Sequence, residues 1–237
     1  MTGLRQPTVL AFDVFGTVVD WFGSIAREVD ALRLGVPGAD FARAWRAGYR
    51  PAMDRVRCGE LPWTRIDDLH RLILDEILLR FGIASLNEEQ RRHLNRVWHR
   101  LDPWPDAVPG LTRLRRRHTL CTLSNGNVSL LVDMAKRAGL PWDCVLSAET
   151  FHRYKPDPET YLGTCRLLDV RPAEMMMVAA HPDDLAAARA CGCATAYVDR
   201  PLEFGPGRPP EAGPDAAADL RARDLEDLAD QLGCPRG

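Results

Sequence analysis

The chain has 237 residues, 46% of them hydrophobic and 27% charged, the balance of a globular protein long enough to bury a substantial interior. A formal net charge of −2 excludes a surface built to hold nucleic acid or anionic lipid. No segment reaches the ~20 apolar residues of a membrane span, and "MTGLRQPTVLAFD" has no secretory-signal pattern, so a cytoplasmic location is expected.

The first element lies in "TVLAFDVFGTVVDW", Thr8 to Trp21, where Asp13 breaks an apolar run and Phe-Gly-Thr leads into a second one. "TVLAFD" reads as a strand. From Trp21 to Pro105 strand signals vanish, and amphipathic helical stretches take over: "FARAWRAGYRPAMDRV", "RIDDLHRLILDEILLRFG" and "NEEQRRHLNRVWHRL". Leu69, Leu72, Ile73, Glu76 and Leu79, three or four apart, mark the expected stripe of the middle one. "LGVPG" closes the first helix, and Asn87 with Gln90 three residues later is a capping box. "DPWPDAVPG", with three prolines, reads as a return linker.

Beyond it, β-rich runs recur at "HTLCTLS", "CVLSA", "MMMVAA" and "TAYVD", separated by helical "NVSLLVDMAKRAGL", "PETYLGTCRLLDV" and "PDDLAAARACG". "PLEFGPGRPPEAGPD" is too rich in Pro and Gly for regular structure, and "ADLRARDLEDLADQLG" regains a helical period. Strands alternating with helices of this length predict an α/β protein with a doubly wound parallel sheet. Residues 1–20 and 106–237 then form the core, and 21–105 a helical cap inserted after the first strand. The seven cysteines are an odd number and outline no disulfide framework; Cys191-Gly-Cys193 has the wrong spacing for a thioredoxin-type pair. Of the 31 basic residues only Lys136 and Lys155 are lysines, which reflects codon bias rather than an arginine-built surface.

Ligands of open parallel sheets bind at the carboxyl ends of the strands. Four polar groups stand there in order: Asp13 after the first strand, Ser124 and Asn125 after "LCTL", Lys155 in the loop after "CVLSAETF", and His181 to Asp184 after "MMMVAA". Singly, each is an ordinary turn or helix-cap residue. Together they place a nucleophile, a hydroxyl and amide pair, a cation and a second carboxylate around one crevice.

"FDVFGT", "LSNGN", "YKPDPETY" and "AAHPDDL" resemble the four signature segments of the haloacid dehalogenase superfamily, and within it the type II 2-haloacid dehalogenases. The resemblance covers essentially the whole chain and implies a Rossmann-like core with a helical cap. Phosphatases of the superfamily read Asp-x-Asp-Gly-Thr, and their second Asp acts as acid and base; here that position is Phe15, whose ring can do neither. They also place an acidic metal ligand directly after the fourth-motif strand, where this chain has Ala180. Both departures match a hydrolase that needs no metal or other cofactor.

The resemblance implies that Asp13 displaces halide from an L-2-haloalkanoate with inversion, and that water then hydrolyses the aspartyl ester to a 2-hydroxy acid. It assigns Lys155 to keeping Asp13 ionised. Thr17 and Ser124 would orient the nucleophile and bind the substrate carboxylate with the N–H groups of Val14 and Phe15. Arg46 would collect the halide with Asn125, although Arg43 and Arg50 lie one turn away. Tyr161 aligns with the tyrosine of the Lys-Pro-Asp helix. Asp184 would position the hydrolytic water, with Asp183 as the competing choice. His181, where relatives have Asn, would be either a water-activating base or a hydrogen-bond donor. Trp45, Trp63 and Phe15 are candidates for an apolar wall, against core packing for each. The partners implied are a small 2-haloacid and halide, and a second copy of the chain as a homodimer. The alternatives are a phosphatase or phosphonatase, and a catalytically silent binding protein.

Overall fold

The computed structural model describes residues 6–208 and 217–236. The chain begins with β1 (Val9–Phe12), whose four residues are all buried. Two short strands follow in sequence and space: β2 (Val19–Asp20) and, much later, β3 (Asp102–Pro103), which pair antiparallel with Val19 opposite Pro103. The chain therefore leaves and re-enters side by side. Between them lie α1 (Trp21–Leu32), α2 (Gly38–Arg57), α3 (Ile66–Arg80), α4 (Glu88–Asn95) and a 3-10 turn at Arg96–Arg100.

The remainder alternates: α5 (Ala107–Leu114), β4 (Thr119–Ser124), α6 (Val128–Ala138), β5 (Cys144–Ser147), α7 (Ala148–Phe151) and α8 (Pro158–Leu167). Then come β6 (Met175–Ala179), α9 (Pro182–Ala190), β7 (Ala194–Val198), β8 (Leu220–Ala222) and α10 (Leu225–Gln231). The main sheet has the order β5-β4-β1-β6-β7-β8, and every neighbouring pair runs parallel. The order reverses at β1, which places a crevice at the carboxyl ends of β1, β4 and β6. Alternate residues serve two buried layers: Leu10 and Phe12 join Met176 and Val178 on one face, while Val9 and Ala11 join Met175 and Met177 on the other. Burial on both faces is why these strands read as unbroken apolar runs.

Sequence and structure part in three places. The apolar stripe of α3 is Ile66, Leu69, Ile73, Leu74, Ile77 and Leu78; Leu72 is 44% exposed and Leu79 83%. The expected stripe mixed two faces, because Glu76 and the two exposed leucines stand on the side away from α2. Secondly, "DPWPDAVPG" is not all linker. Helix α5 starts inside it at Ala107, and Pro109 is tolerated because the first-turn N–H groups of a helix have no partner within it. Thirdly, "ADLRARDLEDLADQLG" opens with β8 on the sheet edge, and the helix waits for Asp224, whose side chain caps Asp227 N–H at 2.7 Å. The Asn87–Gln90 capping box is present, with both bonds at 2.9 Å. Residues 209–215 of the Pro- and Gly-rich stretch and the first five of the amino-terminal one lie outside the described residues. Among the described residues no helix is long and apolar enough to cross a membrane.

The helical segment is tied to the core beside the crevice. Arg57 on α2 grips Asp157 through Nη2 at 2.7 Å, and Asn127 on the core accepts Asp67 N–H and donates to the Asp67 carboxylate. Truncation tests the assignment of the α3 face. Ile73→Ala is expected to cost about 2–4 kcal/mol in guanidinium unfolding and Leu79→Ala less than about 0.5 kcal/mol. Equal losses would contradict it.

Candidate active site

The turn after β1 sets Asp13. Asp13 N–H donates to Val178 carbonyl at 3.0 Å, fixing the residue across the β1–β6 junction. The turn's own backbone bonds come from the N–H groups of Gly16, Val18 and Val19, and none uses the N–H of Val14 or Phe15. Gly16 has φ +83, and a Cβ there would stand 2.2 Å from Glu203 Oε1, so the turn needs glycine twice over. Asp13 itself is buried.

Three donors converge on its carboxylate. Thr17 Oγ1 donates to Oδ2 at 2.8 Å, Lys155 Nζ donates to Oδ1 at 3.0 Å, and His181 Nδ1 lies 3.0 Å from Oδ2. Thr17 is held by Ala180 N–H, which donates to its oxygen at 2.9 Å and leaves the hydroxyl hydrogen for Asp13. Burial alone would raise the Asp13 pKa, but the charges and hydrogen bonds of Lys155 and His181 outweigh it and hold the carboxyl below its usual range.

Lys155 also donates to Asp184 Oδ2, while Tyr161 donates to Asp184 Oδ1 at 2.5 Å. Burial would depress the lysine, yet the Asp13 and Asp184 charges keep it above its ordinary value. Asp184 is pushed upward, by burial first and by the Asp13 charge. Tyr161 is raised by burial and by Asp184, so it stays a phenol and a donor. Asn125 fixes the lysine from behind: its Oδ1 accepts Lys155 N–H at 2.8 Å, and its Nδ2 makes only 3.4 Å contacts to Met53 Sδ and the Lys155 carbonyl.

These groups floor a cavity of about 430 Å³ between the sheet ends and α2. Phe15, Trp21, Tyr49 and Met53 supply its apolar wall, and Arg46 faces them. The Arg46 guanidinium lies 4.4 Å from the Tyr49 ring centre and 5.6 Å from that of Trp21, and its buried Nη1 has no partner among the described residues. Arg43 and Arg50 also reach the cavity but are engaged, Arg43 with Asp40 and Arg50 with Asp183. Arg46 is thus the one of the three with a buried N–H still to satisfy and no carboxylate on it. Asp183 is exposed at the rim, whereas Asp184 is buried on Lys155.

Other expected residues stand elsewhere. Trp45 is fully buried behind the wall, donating to the His70 carbonyl at 3.0 Å and packed on Phe41, His70 and Trp98. Trp63 stacks on His152 and Tyr154, away from the cavity. Ser124 is fully buried, and its hydroxyl oxygen accepts Gly126 N–H at 3.1 Å. Val14 is buried and off the wall. Four members went unseen: Trp21, Tyr49, Met53 and Glu203. Tyr49 is three residues after Arg46 on one helix face, a spacing that could have revealed it. Glu203, buried at 2% exposure, sits in the Pro- and Gly-rich stretch, where no periodicity points to it.

A buried carboxylate beside an ammonium, at the switch point of a parallel sheet under a helical insertion, defines a class. The chain belongs to the haloacid dehalogenase-like hydrolases, whose family model matches residues 7–192. Two solved structures are similar over nearly the full length. One is an L-2-haloacid dehalogenase, 48% identical, covering 96% of this chain and 100% of the other, with a TM-score of 0.88. The second is a defluorinating L-2-haloacid dehalogenase, 43% identical, covering 97% and 96%, with a TM-score of 0.93. The (S)-2-haloacid dehalogenase 1 of Pseudomonas sp. (strain CBS-3) is 30% identical over 80% of this chain and 83% of its own. A phosphoglycolate phosphatase of Chromobacterium violaceum is 28% identical over 82% and 86%.

Removing the shared cation tests the electrostatics. In the wild type the depressed Asp13 contributes stability that is present above the unfolded carboxyl value and lost as pH falls through the folded one. Lys155→Met strands two buried carboxylates; urea unfolding at pH 7 is expected to show a loss of about 3–5 kcal/mol. Part of that loss returns on acidification to about pH 5, as one carboxyl takes up a proton. Parallel pH dependence in the two proteins would contradict this.

Proposed function

We propose that the protein hydrolyses short-chain L-2-haloalkanoates to 2-hydroxy acids through an ester on Asp13, inverting the α-carbon and using no metal. The observation that carries the proposal is the setting of Asp13: a buried carboxylate on the cavity floor that accepts from Thr17 and Lys155, with Phe15 rather than an acid beside it. Such a group suits displacement of a leaving group that needs no proton. Halide is one; an alkoxide leaving phosphorus is not. The Lys155 ammonium stands between Asp13 and Asp184 and holds both carboxylates.

In the first step the cavity binds the substrate carboxylate near the Val14 and Phe15 N–H groups, and Asp13 attacks the α-carbon as the halide departs. Arg46, with its unpartnered N–H over two rings, receives the halide, and Asn125 Nδ2, held only by long contacts, turns to it. Asp184 then orients water toward the ester carbonyl while Lys155 and Tyr161 hold it in place. Thr17 keeps the nucleophile's orientation, and Ser124 shapes the Asn125 turn. Residues 21–105 act as the cap that closes the site. The proposal extends, on the family resemblance, to a cytoplasmic homodimer.

The phosphatase alternative has the Chromobacterium relative in its favour. Against it stand Phe15 and Ala180, and against a silent binding protein the intact Asp13, Thr17, Lys155 and Asp184 set. Halide release from L-2-chloropropionate and from its D enantiomer, in EDTA, decides. Halide from the L form alone, with D-lactate as product and none from Asp13→Asn, is expected. No halide from either enantiomer or from haloacetates, with Mg²⁺-dependent phosphate release instead, would overturn the proposal.

A further inference from the structure

Glu203 takes no part in the steps above, yet it is built into the nucleophile's surroundings. Its Oε1 accepts Trp21 Nε1–H at 3.0 Å, lies 2.9 Å from His181 Nε2, and touches the space a Cβ on Gly16 would fill. His181 thus bridges two carboxylates, Glu203 by Nε2 and Asp13 Oδ2 by Nδ1. A carboxylate can only accept, so each ring nitrogen must carry a hydrogen.

Resting on the aspartyl-ester proposal, we infer that Glu203 is a positioning residue that holds His181 as an imidazolium, whose Nδ1–H joins the Thr17 hydroxyl in a two-donor oxyanion site at Asp13 Oδ2. The ester then forms through Oδ1, whose only hydrogen-bond partner among the described residues is Lys155. The Oδ1 lone pair bonds the α-carbon, the halide leaves with the carbon-halogen pair, and Cγ=Oδ2 remains. When water attacks Cγ its proton passes to Asp184, and the carbonyl pair moves onto Oδ2, where two fixed donors meet the charge. On collapse the Cγ–Oδ1 bond breaks, Lys155 protonates the departing oxygen, and Asp184 returns a proton to Lys155. Regenerated Asp13 releases the second water proton to solvent.

This settles the role of His181 on geometry. A base would need a lone pair on Nδ1, but Oδ2 is an acceptor both as carboxylate and as ester carbonyl, so a bare Nδ1 facing it is repelled in either state. The charged groups around the ring are Asp13 and Glu203 in contact, with Lys155 and Asp184 beyond Asp13 and Arg46 acting on Glu203. Burial opposes the imidazolium, and the two carboxylates overcome it, raising His181 well above its ordinary value.

The test uses L-2-chloropropionate with rapid quench, intact-protein mass spectrometry and a pH profile. Glu203→Gln keeps the Trp21 bond but loses the charge. It is expected to give a halide burst near one per site, then turnover slowed about 10²-fold, with the ester accumulating on Asp13. Its alkaline limb moves to lower pH, because an imidazolium with one carboxylate fewer loses its proton sooner. His181→Asn, which can donate but not take a proton, should exceed His181→Ala by about 10-fold in turnover. Equal rates for Asn and Ala, or an unshifted alkaline limb in Glu203→Gln, would overturn the inference while leaving the dehalogenase proposal standing. No halide from the wild type would overturn both.

Discussion

The ammonium of Lys155, buried between Asp13 and Asp184, is the contact on which the site rests. Two carboxylates cannot both stay ionised out of water at this separation from a common neighbour without a cation between them. The sheet topology supplies one. β1 delivers Asp13, the loop after α7 delivers Lys155, and the first turn of α9 delivers Asp184, so three segments distant in sequence meet at one charge. Asn125, at the end of β4, fixes the lysine backbone from the fourth side.

Around that pair the charges balance. Asp13, Asp184 and Glu203 face Lys155, His181 and Arg46, and each buried anion touches or lies near a cation. Such a site gains one negative charge when an anionic substrate enters. Arg46 is placed to meet it, since its Nη1 is buried at the cavity with no partner among the described residues and, unlike Arg43 and Arg50, it carries no carboxylate. The rings of Phe15, Trp21 and Tyr49 make the opposite contribution, lining the cavity beside Asp13 with apolar surface, as the proposed attack on carbon requires. One site thus combines strong local electrostatics with an apolar wall, the combination that the proposed displacement of halide requires.

Much of this was legible in the sequence, for physical reasons. Residues at the ends of buried parallel strands announce themselves, because Asp13, Ser124 and His181 interrupt runs that are otherwise apolar. The helical insertion showed in the change of hydrophobic period. Glu203 was not legible: it sits in a loop whose composition says only that regular structure is absent, and its partner His181 is 22 residues away. The tryptophans misled in the opposite direction. Trp45 and Trp63 have the size and polarity of pocket walls, but neither the helix that carries Trp45 nor the α2–α3 connection that carries Trp63 says whether the ring points to a cavity or to the layer behind it. The α3 stripe failed on a finer scale, since choosing between adjacent faces of a leucine-rich helix requires knowing where its neighbour lies. Strand β8 is three residues on the sheet edge, too short for any pattern.

The central claim is that an oxygen of Asp13, not of water, first reaches the substrate carbon. It is tested most directly by a single turnover in ¹⁸O-water with enzyme in excess over L-2-chloropropionate. The covalent route predicts lactate whose hydroxyl oxygen is ¹⁶O, and a peptide carrying ¹⁸O in the Asp13 carboxylate. Lactate labelled with ¹⁸O in that first turnover, with Asp13 unlabelled, would mean that water attacks the carbon directly, and the account built on Asp13 would be wrong.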